Sequence, residues 1–212
     1  MIITYKLGEK LYINLTNKCS NACDFCLRTA KENSLTHNDW ESDRDLGGVG
    51  SELWLEREPT VEEAIESLKT HDLSTYEEVV FCGFGEPTER FDACVEIAKW
   101  LKEQGIKVRI NTNGQANLIN KRDVTPEMKG LFDVVSISLN NKNAKEYQEV
   151  CHSEFGEKAY DELLSFGKKC ASLGIETVFS VVDLLPEEDI EECSRIAEQN
   201  GGKLRVRNYI EQ

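Results

Sequence analysis

The sequence predicts an α/β fold in which six strands form a parallel sheet, preceded by a short hairpin that turns at Gly8. From Tyr76 onward, apolar runs of strand length alternate with amphipathic runs of helix length, which is the pattern of βα units. A chain of 212 residues is long enough to bury one full core, so a single domain, residues 1–212, accounts for it. The predicted strands are Leu11–Thr16, Glu78–Cys82, Lys107–Asn111, Asp133–Leu139, Thr177–Val182 and Leu204–Arg207.

Start and stop signals separate the predicted helices. Thr60 and Glu63 have the spacing of a capping box and stand directly before an apolar stripe. Gly105 and Gly174 follow the apolar faces of two further helices and are typical of helix ends. Pro186 begins the last helix. Three cysteines fall on the apolar faces of these helices and are predicted to be core residues, namely Cys94, Cys170 and Cys193.

The composition excludes several classes of protein. The 39 acidic and 25 basic residues give a net charge of −14. Tight, sequence-independent binding to nucleic acid needs an excess of Lys and Arg, so this charge argues against it. No apolar run reaches membrane length, and the eight cysteines of an intracellular chain are expected to stay reduced. The sequence therefore predicts a soluble cytoplasmic protein that does not enter a membrane.

Residues 29–58 break the alternation of strands and helices. This segment holds eight acidic and three basic residues and the glycine-rich run "GGVG" at Gly47–Gly50. Its length without clear periodicity predicts an acidic loop or insertion within the domain, acting as an ordered functional loop, a lid or a mobile segment. The run "LWLE", Leu53–Glu56, is predicted to be the point where the chain rejoins the domain.

Three cysteines are crowded into the eight residues "CSNACDFC", at Cys19, Cys23 and Cys26. Structural zinc normally needs four ligands in two separated pairs, and no second CxxC is present. His37 and Cys151-His152 are distant candidates for a fourth ligand. A loop with three thiolates instead suits a cluster of four irons, leaving one iron open to a small molecule. Zinc and coincidental core cysteines are the alternatives.

The spacing C-x3-C-x2-C, with Phe25 before the last cysteine, resembles the signature of the radical SAM superfamily. The resemblance implies a partial (βα)6-type TIM barrel and a [4Fe-4S] cluster held by Cys19, Cys23 and Cys26. It also implies that the fourth iron binds the amino and carboxylate groups of S-adenosylmethionine (SAM), with Phe25 near the adenine. No catalytic residue beyond the cluster is predicted.

Polar residues stand at the ends of the other strands, where the βα loops of a barrel face a common mouth, and the resemblance to radical SAM motifs implies that they bind SAM. In "GFGEP", the glycines permit close backbone approach and Glu86 can accept hydrogen bonds from an ammonium group. "NTNG" and "SISLN" end the next two strands, and Asp183 ends the fifth. Singly, these runs also fit ordinary turns and backbone hydrogen bonds. The predicted cofactor-binding residues are Phe25, Gly83, Gly85, Glu86, Asn111, Asn113, Ser138, Asn140 and Asp183.

Arg205 and Arg207 alternate with Val206 on the last predicted strand. They point either into the barrel or toward a solvated edge, and inward arginines would suit an anionic substrate group or the SAM carboxylate. Cys82 and Cys151 have no tight spacing to other cysteines, and Cys151 is the less certain core residue of the two. The absence of a further cysteine group argues against auxiliary clusters.

The runs "MIITYKLGEKLYINLTNKCSNACDFCLR", "LWLEREPT" and "GFGEPT" resemble the small TatD-associated radical SAM proteins. That resemblance implies an unknown substrate, a small molecule or a protein, and a link to a TatD-type hydrolase. The superfamily implies an electron from flavodoxin or ferredoxin, reductive cleavage of SAM, and a 5′-deoxyadenosyl radical that abstracts hydrogen from the substrate. Whether SAM is consumed or regenerated is left open.

Three alternatives stay open at this point. Within the superfamily, the small size also fits an activase of a glycyl-radical enzyme or a 7-carboxy-7-deazaguanine synthase. From a different class, the chain fits a non-enzymatic iron-sulfur or zinc binding module that regulates a partner. That last hypothesis explains the cysteines but leaves "GFGEP" and the polar strand ends unexplained.

Overall fold

A computed structural model describes residues 1–26, residue 28 and residues 53–208. The acidic segment predicted at 29–58, together with His37, lies mostly outside the described residues, so its role stays a prediction. The described chain resumes at Leu53, and Leu53 and Leu55 are both buried. "LWLE" therefore packs into the domain, as expected of a point where the chain rejoins it.

Seven strands form one open sheet whose spatial order follows the chain. The first two strands pair antiparallel, and every later neighbour is parallel. The first and last strands do not pair with each other, so the sheet is a partial barrel. The strands are β1 Thr4–Leu7, β2 Lys10–Ile13, β3 Glu78–Phe81, β4 Val108–Thr112, β5 Val134–Ser138, β6 Glu176–Val182 and β7 Lys203–Arg207.

Helices connect the parallel strands, as the alternating pattern predicted. Short 3-10 turns at Leu73–Thr75 and Pro87–Arg90 precede β3 and the second helix. No helix in the described parts of the chain is long and apolar enough to span a membrane. The helices are α1 Val61–Lys69, α2 Phe91–Glu103, α3 Ala116–Asn120, α4 Thr125–Met128, α5 Ala144–Cys151, α6 Lys158–Ser172 and α7 Glu187–Gln199.

The predicted start and stop signals are confirmed at the ends of these elements. Thr60 and Glu63 form a reciprocal capping box at α1. Gly8, with φ of 60°, makes the β1–β2 turn, and Gly105 and Gly174 take positive φ just after α2 and α6. A side chain at such φ is strained, so glycine is the residue that lets the chain reverse there.

The two faces of the sheet differ in chemistry. One face packs against the helices and includes Leu11, Phe81 and Phe179. The predicted core cysteines are also confirmed, because Cys94, Cys170 and Cys193 are all fully buried. The opposite face, here called the inner face, carries polar residues among valines because of the period of two. Its members include Tyr12, Val80, Arg109, Ser136, Ser138 and Arg205.

Candidate cluster and cofactor site

The cysteine loop follows β2 and is attached to the end of α5. The backbone N–H groups of Ala22 and Asp24 donate to the carbonyls of Cys151 and Val150, at 3.0 and 3.1 Å. The last carbonyls of a helix have no partner within the helix, so they are free to accept these bonds. Arg28 donates from Nε to the carbonyl of Asn17 at 2.6 Å, across the base of the loop.

A network of buried polar side chains forms hydrogen bonds to the same loop. Gln115 is fully buried and uses its whole amide: Oε1 accepts from Ser20 and Ser153, and Nε2 donates to Asn21 Oδ1 and Tyr147 Oη. Asn21 Nδ2 also donates to Tyr147 Oη, at 2.9 Å. A fully satisfied buried network restricts its members to one arrangement. The network therefore ties the cysteine loop to the segment that follows β4 and to α5.

The Tyr147→Phe variant tests this attachment. Loss of the hydroxyl leaves two buried amide donors, on Asn21 and Gln115, without that acceptor. We expect the free energy of unfolding of the cluster-free protein to fall by about 2 kcal/mol. Cluster loss to an iron chelator, followed by absorbance, should also become faster.

The neighbouring Tyr160 supplies a matched control, since its ring packs on Tyr147 with centroids 5.7 Å apart. Tyr160 Oη donates to the Asn141 carbonyl at 3.3 Å, outside the network. Tyr160→Phe should leave the rate of cluster loss unchanged. Equal rates in both variants would contradict the anchoring role of Tyr147.

The three thiols of the loop are half-buried and lie near one another. Burial raises the pKa of the Cys19 thiol, and Glu86, Cys23 and Cys26 add to that rise. A hydrogen bond with Cys151 and then burial raise the pKa of Cys23. In the described ranges, no three Cys, His, Asp or Glu side chains converge as a preformed metal site. Iron binding requires the thiols to deprotonate, because the thiolate is the form that binds the metal.

Cys151 is the cysteine for which the sequence did not decide between a core position and another role. It is fully buried, contacts Cys23 and accepts a hydrogen bond from Asn140 Nδ2 at 3.3 Å. Its neighbour His152 is instead exposed and bonds Asp24 Oδ1 through Nε2 at 2.8 Å. Cys151 and His152 thus point to different surroundings and do not act as a pair.

The "GFGEP" run packs directly on the cysteine loop. The N–H groups of Gly85 and Glu86 donate to the carbonyls of Thr16 and Lys18, at 3.0 and 2.8 Å. A Cβ on Gly85 would lie 2.4 Å from the Thr16 carbonyl oxygen, and one on Gly83 would lie 2.0 Å from Asn14 Oδ1. The two glycines therefore permit close contact between two loops of the chain itself, a reason that the sequence did not indicate.

Glu86 is the buried carboxylate of the site, with 4% of its surface exposed. Oε1 accepts from the N–H and hydroxyl of Thr88 and from the Thr112 hydroxyl, and Oε2 accepts from the Asn113 N–H. Burial raises the pKa of Glu86 and these four bonds oppose the rise. No ion pair to Glu86 exists among the residues that the structure covers, although a buried carboxylate is stabilised by a cation. The carboxylate is thus suited to an ammonium ligand.

The other predicted cofactor residues differ in how deeply they are buried. Asn113 is buried and donates to Ser20 Oγ at 2.9 Å. Asn140 is also buried, has φ of 58°, and keeps Oδ1 without a hydrogen-bond partner. Asn111 and Ser138 are half-buried on the inner face, whereas Asp183 is exposed after β6. Phe25 is half-buried and packs against the core.

Several residues of the site were not singled out from the sequence. Thr88 and Thr112 donate hydrogen bonds to Glu86. Sequence motifs could have indicated both, because Thr88 directly follows "GFGEP" and Thr112 lies within "NTNG". No sequence motif indicated Gln115 or Tyr147, because their contacts join distant parts of the chain. Cys82, taken as a core cysteine, is half-buried, and its thiol is hydrogen-bonded with the Asn111 side chain.

Residues 13–199 match the family model described as the Radical SAM superfamily. The chain belongs to this superfamily. Over 142 residues it is also 32% identical to a protein of Methanocaldococcus jannaschii provisionally named as a glycyl-radical enzyme activating enzyme. That match covers 64% of this chain and 55% of the relative, so the chain spans about half the relative's length.

Solved structures have the same fold. SuiB of Streptococcus suis, in a crystal structure bound to S-adenosylmethionine, matches with a TM-score of 0.70 and 20% identity, over 97% of this chain and 42% of that chain. A radical SAM methyltransferase from Sphaerobacter thermophilus matches with a TM-score of 0.64 and 14% identity, over 96% of this chain and 57% of that one. At these identities the likeness concerns the fold, and it confirms the partial barrel.

Radical SAM enzymes use a [4Fe-4S] cluster and SAM. The described residues fit both groups. One loop presents three thiols, the ligand type that iron-sulfur clusters take. Beside this loop, the buried Glu86 carboxylate has no cation among the described residues and suits the ammonium group of SAM. The buried Asn140 Oδ1 has no hydrogen-bond donor there and suits a donor group of SAM.

Proposed function

We propose that this chain is a radical SAM enzyme in which Cys19, Cys23 and Cys26 hold the [4Fe-4S] cluster. The observation that carries the proposal is the juxtaposition of the three-thiol loop with the buried Glu86 carboxylate, which acts on the Cys19 thiol electrostatically. When bound and reduced, the cluster supplies the electron that cleaves SAM and yields a 5′-deoxyadenosyl radical. That radical would abstract hydrogen from the substrate.

The chain's own residues bind and orient the cofactor in this proposal. Glu86 accepts hydrogen bonds from the methionyl ammonium group through the acceptor capacity left on Oε2. Asn140 Oδ1 accepts from a ribose hydroxyl, and Asn111 and Ser138 line the inner face beside it. Phe25 lies against the adenine. Gly83 and Gly85 act indirectly, by seating the Glu86 loop on the cysteine loop, and Asp183 contacts the ribose or the substrate.

Anaerobic reconstitution with iron and sulfide, followed by SAM and dithionite, tests the proposed function. We expect 5′-deoxyadenosine and methionine to form in equal amounts, measured by chromatography. The Cys170→Ala variant, which changes a buried core thiol, should form them at the same rate. A well-formed cluster that neither binds nor cleaves SAM would instead favour the non-enzymatic binding module.

A second candidate is an activase that places a radical on a glycine of a partner protein. The resemblance to the M. jannaschii protein supports it. Deuterium from labelled glycine would then appear in 5′-deoxyadenosine when the enzyme is incubated with the protein fraction of a labelled extract. Deuterium transfer from a labelled small-molecule fraction alone would contradict the activase. No feature of the described residues favours a 7-carboxy-7-deazaguanine synthase.

The proposed subgroup, partners and location of the protein rest on its sequence. The runs around Cys19–Cys26, Leu53 and Gly83 support membership of the TatD-associated subgroup, and with it a functional link to a TatD-type hydrolase. The electron donor is proposed to be a flavodoxin or a ferredoxin, since the cluster needs a reductant. Eight free cysteines suit a reducing cytoplasm, which is the proposed location.

A further inference from the structure

Arg205 and Arg207 both lie on the inner face of the sheet. In the strand register, Arg205 stands opposite Ser180, and Ser180 stands opposite Ser138. Residues directly across neighbouring strands point to the same face, so Arg205 shares a face with Ser138. By the period of two, Arg207 also shares it. The register thus places both arginines on the inner face, on the edge strand β7, where Arg205 is exposed and Arg207 is half-buried.

The curvature of the sheet brings Arg207 close to the cysteine loop and Arg205 close to Tyr12 on β2. Burial lowers the pKa of Arg207, and the thiols of Cys82, Cys23 and Cys26 oppose that change. Burial raises the pKa of Tyr12 on β2, and the charge of Arg205 opposes that rise. Across a flat sheet, the five steps from β2 to β7 would span about 24 Å. These interactions therefore require the sheet to curve, so that β7 approaches β2 and the cysteine loop.

Neither guanidinium group has a carboxylate partner among the described residues. Nε of Arg207 is buried without a hydrogen-bond partner, and no ion pair to either arginine occurs in the described ranges. The other cations of this face are neutralised, since Arg109 pairs with Glu78 at 2.7 Å and Lys203 with Glu176 at 2.6 Å. Partial burial of an unpaired charge is costly for Arg207, and the exposed guanidinium of Arg205 nearby increases that cost.

We propose that Arg205 and Arg207 bind an anionic group of the substrate, a carboxylate or a phosphate. The assignment rests on the proposed function and specifies its substrate class as a small-molecule acid. The planar guanidinium donates two parallel hydrogen bonds to such groups. A neutral glycine backbone, as in the activase reaction, does not offer this charge. The carboxylate of SAM can accept the same hydrogen bonds, so the experiment must distinguish a substrate anion from the SAM carboxylate.

The test uses the anaerobically reconstituted enzyme with inorganic phosphate as the probe. Phosphate should stabilise the wild-type enzyme saturably against thermal unfolding. Because the net charge of −14 repels anions, binding requires a local cationic site. In Arg207→Gln the phosphate dissociation constant should rise by at least about tenfold. Affinity for SAM should stay within about twofold of the wild-type value.

Arg195→Gln is the matched control, because it removes the same charge from an exposed position paired with Glu192. It should bind phosphate as the wild type does. If Arg207→Gln fails to fold, the exposed Arg205 replaces it, and Arg205→Gln should weaken phosphate binding in the same direction.

Three outcomes would overturn the anion site for substrate. Equal phosphate affinity in the wild type and Arg207→Gln would show that no such site exists. Weaker phosphate binding in the Arg195 control would indicate a non-specific charge effect. Loss of SAM affinity with unchanged phosphate affinity would assign the arginine to SAM. An enzyme that binds phosphate through Arg207 but does not cleave SAM would contradict the proposed function and support the anion site.

Discussion

The Cys23→Ala variant is expected to lose the [4Fe-4S] absorbance and the paramagnetic signal of the reduced cluster. A three-thiolate loop has no spare ligand, so removing one leaves two irons without protein ligands. Cys151 complicates this variant, because its thiol contacts Cys23 and is a candidate substitute ligand. The double variant Cys23→Ala/Cys151→Ala is therefore the stricter test.

The core thiol Cys170 provides the control for this experiment, since it is fully buried in a helix. Cys170→Ala should keep the full cluster signal and lose at most about 1 kcal/mol of stability from the small cavity. Cluster signals of normal size in the double variant would remove Cys23 from the ligand set. A cluster retained in Cys23→Ala and lost in the double variant would identify Cys151 as a substitute ligand.

The Glu86→Gln variant is expected to keep the cluster and bind SAM roughly tenfold to a hundredfold more weakly, by loss of a charge-assisted hydrogen bond. Since burial raises the pKa of Glu86, protonation of its carboxylate begins at a higher pH than for an ordinary glutamate. The protonated form does not attract an ammonium group, so wild-type affinity should fall as the pH decreases through that pKa. The variant should lack this component of the pH dependence.

Thr88→Val distinguishes charge from loop structure. This change removes the hydroxyl that bonds Glu86 Oε1 at 2.7 Å but keeps the carboxylate. SAM affinity, measured by equilibrium binding, should change much less than in Glu86→Gln. If the two variants lost affinity equally, Glu86 would act by holding its loop and not by contact with SAM.

Local signals explain why much of the fold was predictable. The capping box at Thr60, the hairpin glycine at Gly8 and the glycine after α2 each act within a few residues. Periods of two and 3.6 residues separate strands from helices in the same local way. The alternation then implies parallel neighbours, because βα units connect strands that run in the same direction.

The candidate site was predictable where short motifs carried it. Cys19, Cys23 and Cys26 stand in one loop, and Glu86 stands in "GFGEP", so their grouping at the ends of β2 and β3 followed from the order of strands. Their roles as ligands stay predictions. The sequence did not indicate the network around Gln115, because its partners come from several loops that only folding brings together.

By itself, the sequence determined the α/β order of elements, the three-thiol loop and the carboxylate beside it, since each depends on residues close together in the chain. Tertiary structure alone decided that Cys151 lies against Cys23, that the glycines of "GFGEP" serve contact between loops, and that Arg205 and Arg207 face inward. These facts depend on the register and curvature of the whole sheet, and no local pattern encodes which distant side chains will meet across it.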